Sequence, residues 1–280
     1  MSLFTRIAIA VAGCALAYLG FSAPAVAQES MESVLDGHRI IYPDSSVPRP
    51  GRPHTNYFFV DSVDATTTPS NTAETPASLA CVYKLVSGTS GCPIATSTTV
   101  PSGGWGAIAL VEAGVYPTAA ADLAAYSAYY GLPPADLTVV WVNNQKPPLY
   151  SDWLVEQALD IEWAHAMAPQ AKIYLVEAPT CKTECQTDPI WGAVQLAAQL
   201  VAAAGGGEVS MSWGDAEASE ELGWDGYFTG NNVVFFAATG DHGLGKSSYP
   251  AASPNVVAVG GTRFTRHDGE FVSEVHDGDG

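Results

Sequence analysis

An α/β fold, a doubly wound parallel sheet with helices on both faces, is what this sequence predicts, on three observations. Runs such as Ala107-Ile108-Ala109-Leu110-Val111 are apolar at every position, as strands covered on both faces are, instead of alternating as half-solvated strands do. These runs alternate along the chain with helical patterns, the signature of strand–helix–strand units. Acids and glycines gather where the runs end, and in an open parallel sheet the ligand site lies beyond the carboxyl ends of the strands.

The chain has 280 residues, 47% of them hydrophobic, enough for one substantial core. Residues 1–27 read as a secretory signal: Arg6, an apolar run from Ile7 to Phe21, and Ala25-Val26-Ala27 as a small-residue cleavage site before Gln28. Val11-Ala12-Gly13-Cys14 offers the alternative of a lipoprotein box, but too few apolar residues precede Cys14. No later run reaches the ~20 apolar residues that span a bilayer. The expected protein is therefore secreted or extracytoplasmic. Export makes cysteines disulfide candidates, Cys81 with Cys92 and Cys181 with Cys185. Metal binding by Cys181 and Cys185 is the rival, but no nearby His or third Cys completes a site.

Residues 28–75 are rich in Pro, Ser, Thr, Asp and Gly and read as an extended or poorly ordered lead-in. A short helix is expected over Ala77 to Leu85, followed by a Gly/Ser/Thr loop, Ser87 to Gly104. Beyond it the expected order is strand 107–111, helix 118–130 closed by Gly131, strand 137–142, an acidic helix within Ser151 to Met167, and strand 172–176. Helix 189–204, strand 208–213, helix 217–229, and strands 232–238 and 255–259 complete it. Eleven basic against twenty-nine acidic residues give a net charge of −18, which argues against nucleic acid and anionic membranes as partners.

The acidic helix is the most informative element. At about 100° per residue, Trp153, Glu156, Asp160, Trp163, Ala164 and Met167 fall within an arc of about 100°. Two acids one turn apart repel, and burial disfavours both ionised forms, so at least one proton should be held more tightly than usual. No Lys or Arg lies in the segment to neutralise them. That is a poor way to stabilise a helix and a good way to build a general base. Strand-end acids join them: Glu112 after Val111, Trp213-Gly214-Asp215, and Gly240-Asp241-His242-Gly243. Taken singly, each has the ordinary role of a cap or turn former; together they mark one rim.

Leu159-Asp160-Ile161-Glu162-Trp163-Ala164, Ser210-Met211-Ser212-Trp213-Gly214, Ala238-Thr239-Gly240-Asp241, and the run from Tyr249 through Pro254 to Thr262 occur in an order and spacing that resemble the sedolisins, the serine-carboxyl peptidases, in their kumamolisin-like branch. The resemblance covers roughly residues 75–280. It implies a subtilisin-like doubly wound sheet and an endopeptidase of acidic pH optimum acting on peptide or protein substrates. It also implies Glu156 as general base for a serine, Asp160 as the acid that orients it, and Asp241 in the oxyanion hole. Glu112 and Trp213 match the hydrogen-bonded chain behind the base. His242 receives no role.

Carboxylates suit such work in acid, where an imidazole is already protonated, and an Asp held neutral can donate to an oxyanion. The family's nucleophile lies in a Gly-Thr-Ser block downstream of Thr262, and its calcium loop further on, beyond Gly280. Gly88-Thr89-Ser90 has the letters but precedes the first sheet strand. Residues 28–76 are shorter than the family's folded propeptide. The expectation is thus a partial peptidase domain over 76–280, truncated at the C-terminus, inactive as written and with no cofactor of its own. A non-catalytic exported binding protein with the same fold is the alternative. A glycosidase fits less well, because its two carboxyls stand about 5 to 9.5 Å apart across a sugar.

Overall fold

The computed structural model describes residues 3–5, 31–35, 38–49, 51–57, 59–60, 73–181, 188–241 and 248–276. Of the expected signal segment only Leu3–Thr5 falls among them. The remainder of 1–27 with Cys14, and also Cys185 and His242, lies outside the described residues.

Six parallel strands form the central sheet: β1 (Ala107–Ala113), β2 (Asp136–Trp141), β3 (Lys172–Ala178), β4 (Gly207–Met211), β5 (Val233–Ala238) and β6 (Val257–Val259), in the order β6-β5-β4-β1-β3-β2. The chain runs outward from β1 in one direction, returns, and continues in the other, so β1 stands at the switch point between β3 and β4. Among the helices are α1 (Pro76–Val82), α2 (Ala119–Tyr130), α3 (Leu154–Met167) and α4 (Ile190–Ala203).

Strand parity decides which helix each side chain meets. Ala107, Ala109, Val111 and Ala113 face α4 in one core, with Ala193, Val194, Ala197 and Val201 opposite them. Leu110 faces the other way, into a second core with Leu123 of α2 and Ala158 and Ile161 of α3. Glu112 therefore belongs to the α3 side. Small alanines on β1 let α4 approach closely, and Trp191 of α4 stacks among Trp213, Trp224, Tyr227 and Tyr249.

Helix 119–130 ends as expected at Gly131, which takes the left-handed φ of 69° that suits glycine. The expected helix over 217–229 is largely absent: only Glu221–Trp224 is α-helical, followed by a 3-10 turn at Asp225–Tyr227. Glu217, Glu220, Glu221 and Asp225 repel along that stretch and Gly223 and Gly226 weaken it, while Trp224 and Phe228 are drawn onto Trp191 and Tyr249. After β6 the chain forms an unforeseen antiparallel hairpin, β7 (Thr262–His267) with β8 (Glu270–His276). The Cys81–Cys92 disulfide is formed, and Cys181 is disulfide-bonded.

The lead-in is extended but closely docked. Strands Met31–Leu35, His38–Tyr42 and Phe59–Val60 form a small antiparallel sheet, and Ser45, Ser46, Thr55 and Tyr57 are buried against the main domain. No helix among the described residues is long and apolar enough to cross a membrane.

Candidate active site

Helix α3 starts one residue after Trp153, which is 2% exposed and packs into the α4-side core. Gln157, fully buried, donates from Nε2 to the Ala113 carbonyl at 3.1 Å and ties the first turn of α3 to the end of β1. This anchor turns Glu156 and Asp160 toward the sheet. Except for Trp153, which turns into the α4-side core, the predicted arc becomes one wall of a cleft of about 670 Å³, lined by Glu156, Asp160, Trp163, Ala164 and Met167 on α3 and by Ile108, Leu110, Glu208 and Ser210 on the strands.

Glu112 is fully buried at the floor of this region. It has no ordinary donor on either oxygen and meets the Asp160 carboxyl, a contact that is a hydrogen bond only while one partner keeps its proton. Burial, and then the charges of Asp160 and Glu156, push Glu112 well above the usual carboxylate range, so Glu112 is the donor. Burial first, then Asp160 and Asp241, likewise raise Glu156 far above its ordinary value, and the main-chain N–H of Asn56 opposes the rise. Asp160 is raised by burial too but lowered by the proton of Glu112 and the hydroxyl of Ser212. Ser212 Oγ lies 2.8 and 3.0 Å from the two Asp160 oxygens. Asp160 is thus the member of the group best supported in its ionised form.

Of the predicted acids, Glu112, Glu156, Asp160 and Asp241 converge, and Asp215 does not. Asp241 follows β5 and is near enough to act on Glu156 electrostatically. Trp213 is fully buried beside the site, but its indole N–H donates to the Val111 carbonyl at 2.8 Å instead of to Glu112. It therefore braces the strand that carries Glu112. Asp215 stands apart, with its carboxyl accepting from the N–H groups of Ala216, Gly51 and Arg52. Ser90 lies in the disulfide loop, whose next residue, Gly91, accepts from the Phe271 N–H of β8, away from Glu156.

Ser212 was not singled out from sequence, although parity would have found it. Met211 faces the α4 core, so Ser210 and Ser212 must face α3. Asn56 carried no local signal at all.

Comparison with solved structures finds Pseudomonas sedolisin, a serine-carboxyl proteinase complexed with pseudo-iodotyrostatin, at a TM-score of 0.54 and 18% identity, covering 72% of this chain and 57% of that one. Residues 143–274 match the Peptidase_S8 model, described as the subtilase family. The chain has a subtilisin-like fold. The prenylagaramide maturation protease PagA aligns with a TM-score of 0.38 and 19% identity over 65% of this chain and 57% of its own. This subtilisin-like chain thus spans 57% of the length of either structure. Comparison with curated proteins gives no significant match. On a subtilisin-like sheet, the carboxyl ends of the strands around the switch point are where the acids stand.

Proposed function

We propose that this chain is the acid-bearing part of an exported serine-carboxyl endopeptidase, working in acid on peptide or protein substrates. The observation that carries the reading is the convergence of Glu112, Glu156, Asp160 and Asp241 at one rim, where the neighbours that raise the buried Glu112 and Glu156 are all acidic. A structural carboxylate is normally matched by a base or by several donors. Here the acids face one another and share protons, as a relay requires.

In the proposed chemistry Glu156 takes the proton of a seryl hydroxyl as it passes its own to the ionised Asp160, which holds Glu156 in place, and Glu112 keeps a reserve proton behind Asp160. Asp241, which needs its proton for this role, donates to the oxyanion. Among the described residues no serine hydroxyl donates to Glu156; Ser212 donates to Asp160.

Assayed at pH 3–6 against an unfolded protein, a polypeptide that joins these residues to a downstream Gly-Thr-Ser segment is expected to cleave internal peptide bonds. Glu156→Gln should lower kcat by roughly 10²- to 10⁴-fold, the usual contribution of a positioned base. An unchanged kcat in that variant contradicts the assignment. The 280 residues alone are expected to show no turnover, and turnover abolished by Ser90→Ala would overturn that expectation.

A further inference from the structure

Resting on the peptidase reading, we propose that Glu177 is a positioning residue for the acid relay: its carboxylate stands beside Glu112 on the neighbouring strand and holds the reserve proton of Glu112 in place. β3 pairs with β1 so that Glu177 is the register partner of Glu112, and with β2 so that it is also the partner of Trp141. Neighbouring strands lie about 4.8 Å apart, so Glu112, Glu177 and Trp141 form a row across the carboxyl end of the sheet. Parity places Glu177 with Leu175 on the α3 side, the face on which Glu112 meets Asp160. Both glutamates are fully buried.

Their surroundings differ in kind. Neither oxygen of Glu112 has an ordinary donor. Glu177 accepts from the Tyr116 main-chain N–H on one oxygen and from the Trp141 indole N–H on the other, each at 2.6 Å. Lys146, whose Nζ lies 5.9 Å from the centre of the Trp141 ring, adds an attractive positive charge. Burial is the first cause that raises either acid. Against it, Tyr116, Trp141 and Lys146 pull Glu177 back down, whereas Asp160 and Glu156 of α3 and Glu177 of β3 push Glu112 higher still. Of the two, Glu177 therefore ionises first as pH rises. From that point its charge opposes loss of the neighbouring proton, because two like charges this close disfavour each other. Glu112 thus keeps a proton to share with Asp160 over a wider span of pH. A strut between Tyr116 and Trp141 would use the two oxygens of Glu177 but not its charge, so the two roles part when the charge alone is removed.

The test follows the side-chain carboxyl carbons of Glu112 and Glu177 by NMR through a pH titration of the whole chain, of its Glu177→Gln variant and of Trp141→Phe. In the unaltered chain Glu177 should titrate below Glu112. Glu177→Gln should lower the Glu112 midpoint by about one pH unit, a tenfold weaker hold on the proton. Trp141→Phe removes a donor but keeps the carboxylate, so it should lower Tm yet leave the Glu112 midpoint above that of Glu177→Gln. A Glu112 midpoint that Glu177→Gln leaves unchanged makes Glu177 a strut and overturns the inference, while the peptidase reading stays with its own kcat test. Equal Glu112 midpoints in the two variants would mean that the tie and not the charge holds the proton, and overturn it too. Should Glu177→Gln fail to fold, the unaltered chain decides: Glu112 titrating below Glu177 is the overturning result.

Discussion

At the scale of single residues, environment and not identity separates the acids. Glu156 and Asp160 are one turn apart on one face, yet Asp160 has the Ser212 hydroxyl and the Glu112 proton, whereas Glu156 faces only a main-chain N–H and more acids. The like-charge spacing was legible in the sequence; the asymmetry was not, because Ser212 and Asn56 come from distant segments. Glu162, on the opposite side of α3, shows what burial does without a relay. It is pushed up to about 7 from 4.5, first by burial and then by Asp122. The unfolded chain loses that proton first, so the stability it contributes is complete below about pH 4.5 and is lost as pH rises toward 7. The full span is worth about 3 kcal/mol. Glu162→Gln is expected to flatten the fall in Tm between pH 4.5 and 7; a variant whose Tm falls as steeply as before would contradict the assignment.

Among elements, the strands were read best because their signal is local: an all-apolar run needs cover on both sides. β1 and β3 extend two residues beyond their expected ends, since Glu112 and Glu177 continue the ladder as a register pair. Segment 217–229 was misread because its apolar spacing serves an aromatic cluster around Trp191 and not a helix face. The β7–β8 hairpin escaped notice because its anchor is remote. Arg266 of β7 is buried with Glu74, which sits just before α1, in a two-pronged contact of 2.5 and 2.6 Å, and donates to the Cys92 and Gly269 carbonyls. Removing one partner leaves a buried charge uncompensated. Glu74→Gln should therefore cost about 3 to 5 kcal/mol in urea unfolding; a loss under about 1 kcal/mol would show the pair to be incidental.

For the molecule as a whole, the sheet order with β1 at its centre brings residues about 130 positions apart, Glu112 to Asp241, to one rim. The all-parallel sheet was legible from the alternation of strand and helix, and with it the rim, because carboxyl ends of parallel strands share one side. The docking of the lead-in was not, since its contacts are largely main-chain pairing and hydroxyls within a segment of unremarkable composition. Together these features describe a protein whose carboxyls are arranged to hold protons beside a cleft that Asn56 of the lead-in helps to line.

Following the side-chain carboxyl carbons of Glu112, Glu156, Asp160 and Asp241 by NMR through a pH titration tests the shared-proton site most directly. Glu112 and Glu156 are expected to keep their protons well above the ordinary carboxylate range, with Asp160 ionising before either and the curves coupled. Four independent titrations near pH 4 would contradict it.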